Sequence, residues 1–238
     1  MIVGDVSTCP WWVNSRGLTV RALVGTKETV AETPHAQLVE QPADIVQRPH
    51  YHEIDQYQVV TYGSGHIGKK PVRLGSFHYT DRATTYGPIL SDPDGIHYAV
   101  LRPRGDAGVD VEAMYMPEAK AIRSRNPGRH AFGDSEPVLT EGAESGWRQS
   151  LDNGDGAMAE TVRLAGGAHL PEPHGRSDCG PGYVVVLRGS LVTGGAELVA
   201  PSVVWLEATD AWPEIKAGGD GSVAGWFSFS CAHRTEPR

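Results

Sequence analysis

The chain has 238 residues, which at roughly 150 residues per domain holds one large domain or two small ones. Its 29 Gly and 17 Pro make up about 19% of the chain against an ordinary sum of about 12%, which excludes a helical bundle, and the glycines have no period of three, which excludes collagen. The net charge of −8 argues against a nucleic acid or an anionic membrane surface as partner and favours a small-molecule substrate.

Taken in chain order, Met1 to Asp5 carries neither a basic n-region nor an apolar h-region, so no signal peptide is expected. Runs rich in Val, Ile, Tyr and Trp predict strands at 18–24, 57–62, 72–79, 96–102, 183–193, 202–206 and 223–229, separated by Gly, Pro, Asp and Asn clusters. Gly63-Ser64-Gly65-His66-Ile67-Gly68 reads as a hairpin turn. Pro117 to Arg125 has the pattern of a short helix, with Asn126-Pro127-Gly128 as its stop. The Gly-, Ser- and acid-rich stretch 133–157 leads into a second unit, because Trp147 and Leu151 offer apolar surface to bury. The longest apolar runs, Tyr183 to Leu187 and Val203 to Leu206, are strand-sized, so no membrane span is expected. Cys9, Cys179 and Cys231 form no disulfide framework and no metal knuckle, which predicts a cytoplasmic protein with reduced thiols, monomeric or homodimeric.

The chain repeats itself. Val59-Val60-Thr61-Tyr62-Gly63-Ser64 matches Val185-Val186-Leu187-Arg188-Gly189-Ser190, an offset of 126 positions between Gly63 and Gly189. The same offset lays Ser76 on Ser202, Ile89 on Ile215 and Asp94-Gly95 on Asp220-Gly221. The expected fold is all-β, two tandem barrels of similar size spanning 1–128 and 129–238.

His50 and His52 stand at i and i+2, the spacing that points two side chains to one side of a strand, so two imidazoles can reach one cation. Gln56 follows four residues after His52 and Gly63 seven after that. This spacing resembles the first motif of the cupin superfamily, which runs Gly, five residues, His-x-His, three or four residues, Glu, six residues, Gly. Asp44 stands where the leading Gly would be, and Gln56 where the family has its ligand Glu. The second cupin motif, laid on Gly75, reaches Asp81, Ala83 and Tyr86 in place of Pro, Gly and His.

The resemblance implies two jelly-roll barrels in tandem and one divalent metal in the first, with His50, His52 and Gln56 as ligands. Tyr86 falls at the fourth-ligand position, as a phenol near the metal or as an acid/base group. His78, in the strand 72–79, is its rival as ligand. Glu53 or Asp55 would supply a carboxylate if the turn is shifted, and Glu53 joins Tyr86 as a catalytic candidate. His97 reads as structural. The offset of 126 carries His50 to Arg176, His52 to Asp178, Gln56 to Gly182, His78 to Val204 and Tyr86 to Trp212, so the second barrel is expected to hold no metal. Arg102 and Arg104, after the strand segment Ile96 to Leu101, form a carboxylate clamp or a solvated edge, and the edge is the expected one.

No nucleophile elbow, P-loop, dinucleotide fingerprint or His-Glu-x-x-His is present. The expected function is a metal-dependent oxygenase of dioxygenase type acting on a small organic molecule, with Fe(II) as the metal and Zn(II), Mn(II) or Ni(II) as alternatives. The rival expectations are a non-redox isomerase, lyase or cyclase, and a non-catalytic barrel that only binds its ligand.

Overall fold

Alternating apolar and polar residues between Gly- and Pro-rich turns build an antiparallel β structure in the computed structural model, which describes residues 1–26, 32–105, 129–135, 138–139, 146–152, 157–174, 176 and 180–230. One sheet has the strand order β2-β3-β4-β8-β5-β7-β9, with β6 paired to β5. Its members are β2 (Trp11–Val13), β3 (Thr19–Val24), β4 (His35–Gln41), β5 (Gln56–Ile67), β6 (Lys70–Arg73), β7 (Ser76–Thr80), β8 (Ile89–Arg102) and β9 (His130–Asp134). The other has the order β1-β14-β12-β15-β11-β10, with β13 paired to β12. It contains β1 (Ile2–Gly4), β10 (Arg148–Asp152), β11 (Met158–Leu164), β12 (Gly182–Thr193), β13 (Ala196–Val199), β14 (Val203–Leu206) and β15 (Ile215–Ser228). The fold is all-β jelly roll, and no helix among the described residues is long and apolar enough to cross a membrane.

The chain divides into two compact units, Pro10–Gly133 and Met1–Cys9 with Asp134–Arg238. The first nine residues therefore belong with the C-terminal half, because Ile2, Val3 and Gly4 pair with Trp205, Val204 and Val203. The expected helix at 117–125, its stop at 126–128 and Cys179 and Cys231 lie outside the described residues.

Strand register shows the repeat in detail. Gln56 faces Thr80 in β5 and β7, as Gly182 faces Leu206 in β12 and β14. Ladder breaks fall between Val60 and Tyr62 and between Gly63 and Gly65 in one unit, and between Val186 and Arg188 and between Gly189 and Leu191 in the other. All four pairs keep the offset of 126. Upstream the offset becomes 123: Gln41 faces Ile96 as Leu164 faces Ser222, and Gln47 N reaches Ile89 O as Leu170 N reaches Ile215 O. Three extra residues in the intervening loop of the second unit absorb the difference, which a loop tolerates and a strand does not.

The bulges explain the repeated glycines. Gly63 has φ +70° and Gly189 φ +73°, and a Cβ on either would collide with the carbonyl oxygen of Gly95 or Gly221 across the ladder. Only glycine accepts both the left-handed backbone and that approach. The segment 63–67 is thus bulged strand, and the turn lies beyond it, between β5 and β6. The predicted strand 72–79 is likewise two strands, broken at Leu74-Gly75, and the one at 223–229 is the end of the longer β15.

Candidate functional site

The loop at 47–52 runs antiparallel to the segment at 83–89. His50 N donates to Tyr86 O (3.1 Å) and Tyr86 N to His50 O (3.0 Å), forming a single β-bridge. Residues opposed in this way have adjacent side chains, and Tyr86 Oη lies 2.7 Å from His50 Nε2. His50 Nδ1–H donates to Arg48 O (2.8 Å), which leaves Nε2 as the acceptor, so the phenol is the donor. Burial lowers the His50 imidazole to about 4 and raises the Tyr86 phenol to about 12, so both groups are neutral around pH 7.

His52, two residues on, places its ring 5.4 Å from that of His50. Its Nε2 accepts from the Arg102 guanidinium (Nη2, 3.1 Å), and Arg102 Nε donates to Gln56 Oε1 (3.2 Å). Arg102 is therefore not a solvated edge. Tyr98, Val100 and Arg102 alternate along β8 and line the barrel interior, where Arg102 is 6% exposed; Arg104 alone is exposed.

His78 projects from β7 opposite Gln58 of β5. Its Nδ1–H donates to Gln58 Oε1 (2.8 Å), and its Nε2 accepts from His130 Nδ1 (3.0 Å), with its ring 5.6 Å from that of Tyr86. Burial pushes it down to about 3.

The two acidic candidates stand apart from this group. Glu53 is exposed in the bend after His52, and Asp55 accepts from the Arg82 backbone N–H (2.7 Å), fixing the loop instead of facing the cavity. His97 packs on Tyr62 at 4.8 Å between ring centres. Ala83, at the Gly position of the second motif, has φ +58°, a conformation that favours glycine, and its N–H donates to His52 O (2.7 Å). Arg16, Gln47, Gln58 and Tyr98 also reach the site and carry no sequence motif; Gln58, a polar residue between Tyr57 and the Val59-Val60 pair, was the available signal.

These side chains border a cavity of about 290 Å³, near the lower end of small-molecule sites. The described residues lining it include Arg16 and Arg102 and no Asp or Glu. The donors as arranged do not fit a divalent cation. Each imidazole nitrogen that would face a metal accepts a hydrogen bond from a protein donor: Tyr86 O–H at His50, the guanidinium at His52 and His130 at His78. The guanidinium holds two of the four expected ligands, His52 and Gln56. At an effective dielectric near 20, a dication about 5 Å from that charge is repelled by roughly 7 kcal/mol. Among the described residues no group of three His, Cys, Asp or Glu is placed to hold a metal ion.

The same positions carry different residues in the second unit. Gln58, His78, Tyr98 and Arg102 correspond through the strand register to Val184, Val204, Ala224 and Ser228, and Val100 to Trp226. Val184, Val204, Ala224 and Trp226 belong to one buried apolar cluster.

No protein-family profile matches the chain, and no curated protein sequence matches it. Solved structures do. Oxalate decarboxylase from Bacillus subtilis superposes with a TM-score of 0.62 at 12% identity, covering 96% of this chain and 76% of that one. A candidate dioxygenase from Nostoc punctiforme superposes with a TM-score of 0.57 at 11% identity, covering 97% and 77%. At such identity the likeness speaks for architecture: the chain is built on the cupin jelly-roll fold.

Proposed function

We propose that the Pro10–Gly133 barrel acts on a small organic molecule by non-redox proton chemistry, as an isomerase, lyase or cyclase does. The observation that carries this reading is the Tyr86–His50 pair, a neutral phenol 2.7 Å from a neutral imidazole at the wall of the cavity. A proton leaving the substrate goes to Tyr86 Oη as the phenolic proton moves to His50 Nε2, and the negative charge left on the substrate faces the Arg102 guanidinium. Return of the proton to a different substrate atom completes an isomerisation. His52 and Gln56 hold Arg102 in place.

The test is wash-in of solvent deuterium into a panel of 2-oxo and 3-oxo acids and their amides by metal-stripped protein, followed by NMR. Wild type should exchange a substrate of the panel, and Tyr86→Phe should exchange it at least about 100-fold more slowly. Undiminished exchange in Tyr86→Phe would overturn the role of the pair.

A second reading is the Fe(II)-dependent oxygenase, favoured by the His50, His52 and His78 rings grouped around Tyr86 at 4.5, 6.3 and 5.6 Å. It requires Arg102 to leave both His52 and Gln56. One full equivalent of metal in the purified protein, with oxygen uptake that depends on it, would favour this reading over the first.

A further inference from the structure

We propose that Tyr98 is a second proton-transfer group of the cavity in the Pro10–Gly133 barrel, a general acid that gives its phenolic proton to the substrate atom that gains one, while Tyr86 takes the proton that leaves. The proposal rests on the reading of Tyr86 and His50 as the proton acceptor, and adds the donor and the class of molecule the two phenols suit.

The hydrogen bonds of the two phenols run in opposite directions. A phenol has one proton to donate and lone pairs with which to accept. Tyr86 commits its proton to His50 Nε2 (2.7 Å), so its lone pairs are what it offers a substrate. Tyr98 does the reverse. Its Oη accepts from the Gln47 amide Nε2–H, and among the described residues no acceptor meets its own proton. Both phenols, and Gln47, border the same cavity. A molecule held there meets one hydroxyl that can take a proton and one that can give one. Burial and the neighbouring Tyr86 hold the Tyr98 phenol well above its ordinary value, so it is protonated when a substrate arrives.

The fold does not demand this pair. Tyr98 pairs with Val39 and Val60 as Ala224 pairs with Val162 and Val186, so Ala224 is its counterpart in the second unit. Gln47 N reaches Ile89 O as Leu170 N reaches Ile215 O, which makes Leu170 the counterpart of Gln47. Leu170 and Ala224 both belong to the buried apolar cluster of that unit. The same architecture is thus built there with two apolar side chains. In the first unit an amide and a phenol are buried instead, at 6% and 2% exposure, and the hydrogen bond between them does little more than offset their desolvation.

Protons and electrons balance without an oxidant or reductant. The substrate C–H bond breaks with its electron pair left on the substrate, the proton goes to Tyr86 Oη, and the Tyr86 phenolic proton moves to His50 Nε2. The electron pair then bonds a second substrate atom to the Tyr98 proton, and the Gln47 N–H stabilises the phenolate that remains. One proton from solvent restores Tyr98, and one leaves His50 for solvent. The substrate class that suits this sequence is an enolisable oxo compound with a conjugated second carbon, of which a β,γ-unsaturated ketone is the simplest; Leu18, Val20, Val39 and Val100 give its carbon body an apolar wall.

The test follows cyclohex-3-enone with the full, metal-stripped chain in heavy water by NMR, reading separately the entry of deuterium at the α-carbon and the formation of cyclohex-2-enone. Wild type should do both, with solvent deuterium at the γ-carbon of the product. Tyr98→Phe should lower isomer formation at least about tenfold more than it lowers exchange, whereas Tyr86→Phe lowers the two together. Equal losses in Tyr98→Phe, hydrogen carried from the α- to the γ-carbon in wild type, or exchange without isomer formation overturns the role of Tyr98 and leaves that of Tyr86 standing; wild type that neither exchanges nor isomerises overturns both. A measurement on the protein alone checks the direction of the hydrogen bond. The Gln47 side-chain amide protons should show cross-relaxation with the Tyr98 ring and shift in Tyr98→Phe, and a Tyr98 hydroxyl proton donated to Gln47 Oε1 instead overturns the assignment whatever the activity.

Discussion

Acidification is the most direct probe of the polar interior. His50 and His78 are 7% and 0% exposed, and burial holds them at about 4 and about 3. In the unfolded chain each titrates near its ordinary value, about 6.5. As pH falls from 6.5 towards 4 the unfolded chain binds a proton at each of these two histidines that the folded chain does not, so their contribution to stability rises with pH across this window and is lost on acidification. At about 1.4 kcal/mol per pH unit and group, each histidine costs about 3 kcal/mol by pH 4, and the pair about 6. That is a large share of a typical domain stability of about 5–15 kcal/mol. The assay is urea denaturation of metal-stripped protein at half-unit steps from pH 8 to 4. The control is the double variant Gln58→Val/His78→Val, which copies the Val184–Val204 pair of the second unit and leaves no orphaned partner on β5. The difference between the two proteins therefore reports His78 together with its partner His130. The double variant should lose about 3 kcal/mol of the acid-induced destabilisation between pH 6.5 and 4. A wild-type curve flat from pH 7 to 4.5, or identical slopes in both proteins, would refute the placement of these imidazoles in a low-dielectric interior.

Gly63→Ala and Gly189→Ala should each destabilise by more than about 2 kcal/mol in chemical denaturation, because each combines a left-handed backbone with a collision against a carbonyl oxygen. Tyr86→Phe leaves His50 Nε2 without its donor and should cost about 1–3 kcal/mol by thermal or urea unfolding. Ala83→Gly relieves φ +58° and should be neutral to stabilising by up to about 1 kcal/mol, while Ala99→Gly, in the middle of β8, should lower stability by about 1 kcal/mol.

The strand pattern and the repeat were legible because both rest on local chemistry: β-branched and aromatic runs, and glycines that recur where a bulge demands them. β2 (WWV) and β13 (AELV) were missed because they are only three and four residues long, and β4 (HAQLVEQ) because polar residues interrupt its apolar ones. The membership of β1 in the second sheet was invisible, since only three long-range pairs with β14 establish it. At the site, His50, His52 and Tyr86 were legible from motif spacing. Glu53 lies on an exposed bend, a placement that the motif does not encode.

Arg102 was the hardest residue to read, and its case shows why. An arginine at a strand end is ordinarily solvated, since burying a guanidinium without acceptors costs several kcal/mol. Here two acceptors come from elements distant in sequence, His52 from a loop and Gln56 from β5. Neither is informative alone: a His-x-His pair points to a metal, and a glutamine in a strand points to nothing. Only the antiparallel pairing of β5 with β8, which sets Tyr57 against Leu101, brings Gln56 beside Arg102. The register-equivalent positions in the second unit are Gly182 and Ser228, where amide and guanidinium are absent together. Because one half of this pair would leave a buried polar group unsatisfied without the other, the two are expected to be kept or lost as a unit, and the first barrel's cavity exists where both are kept.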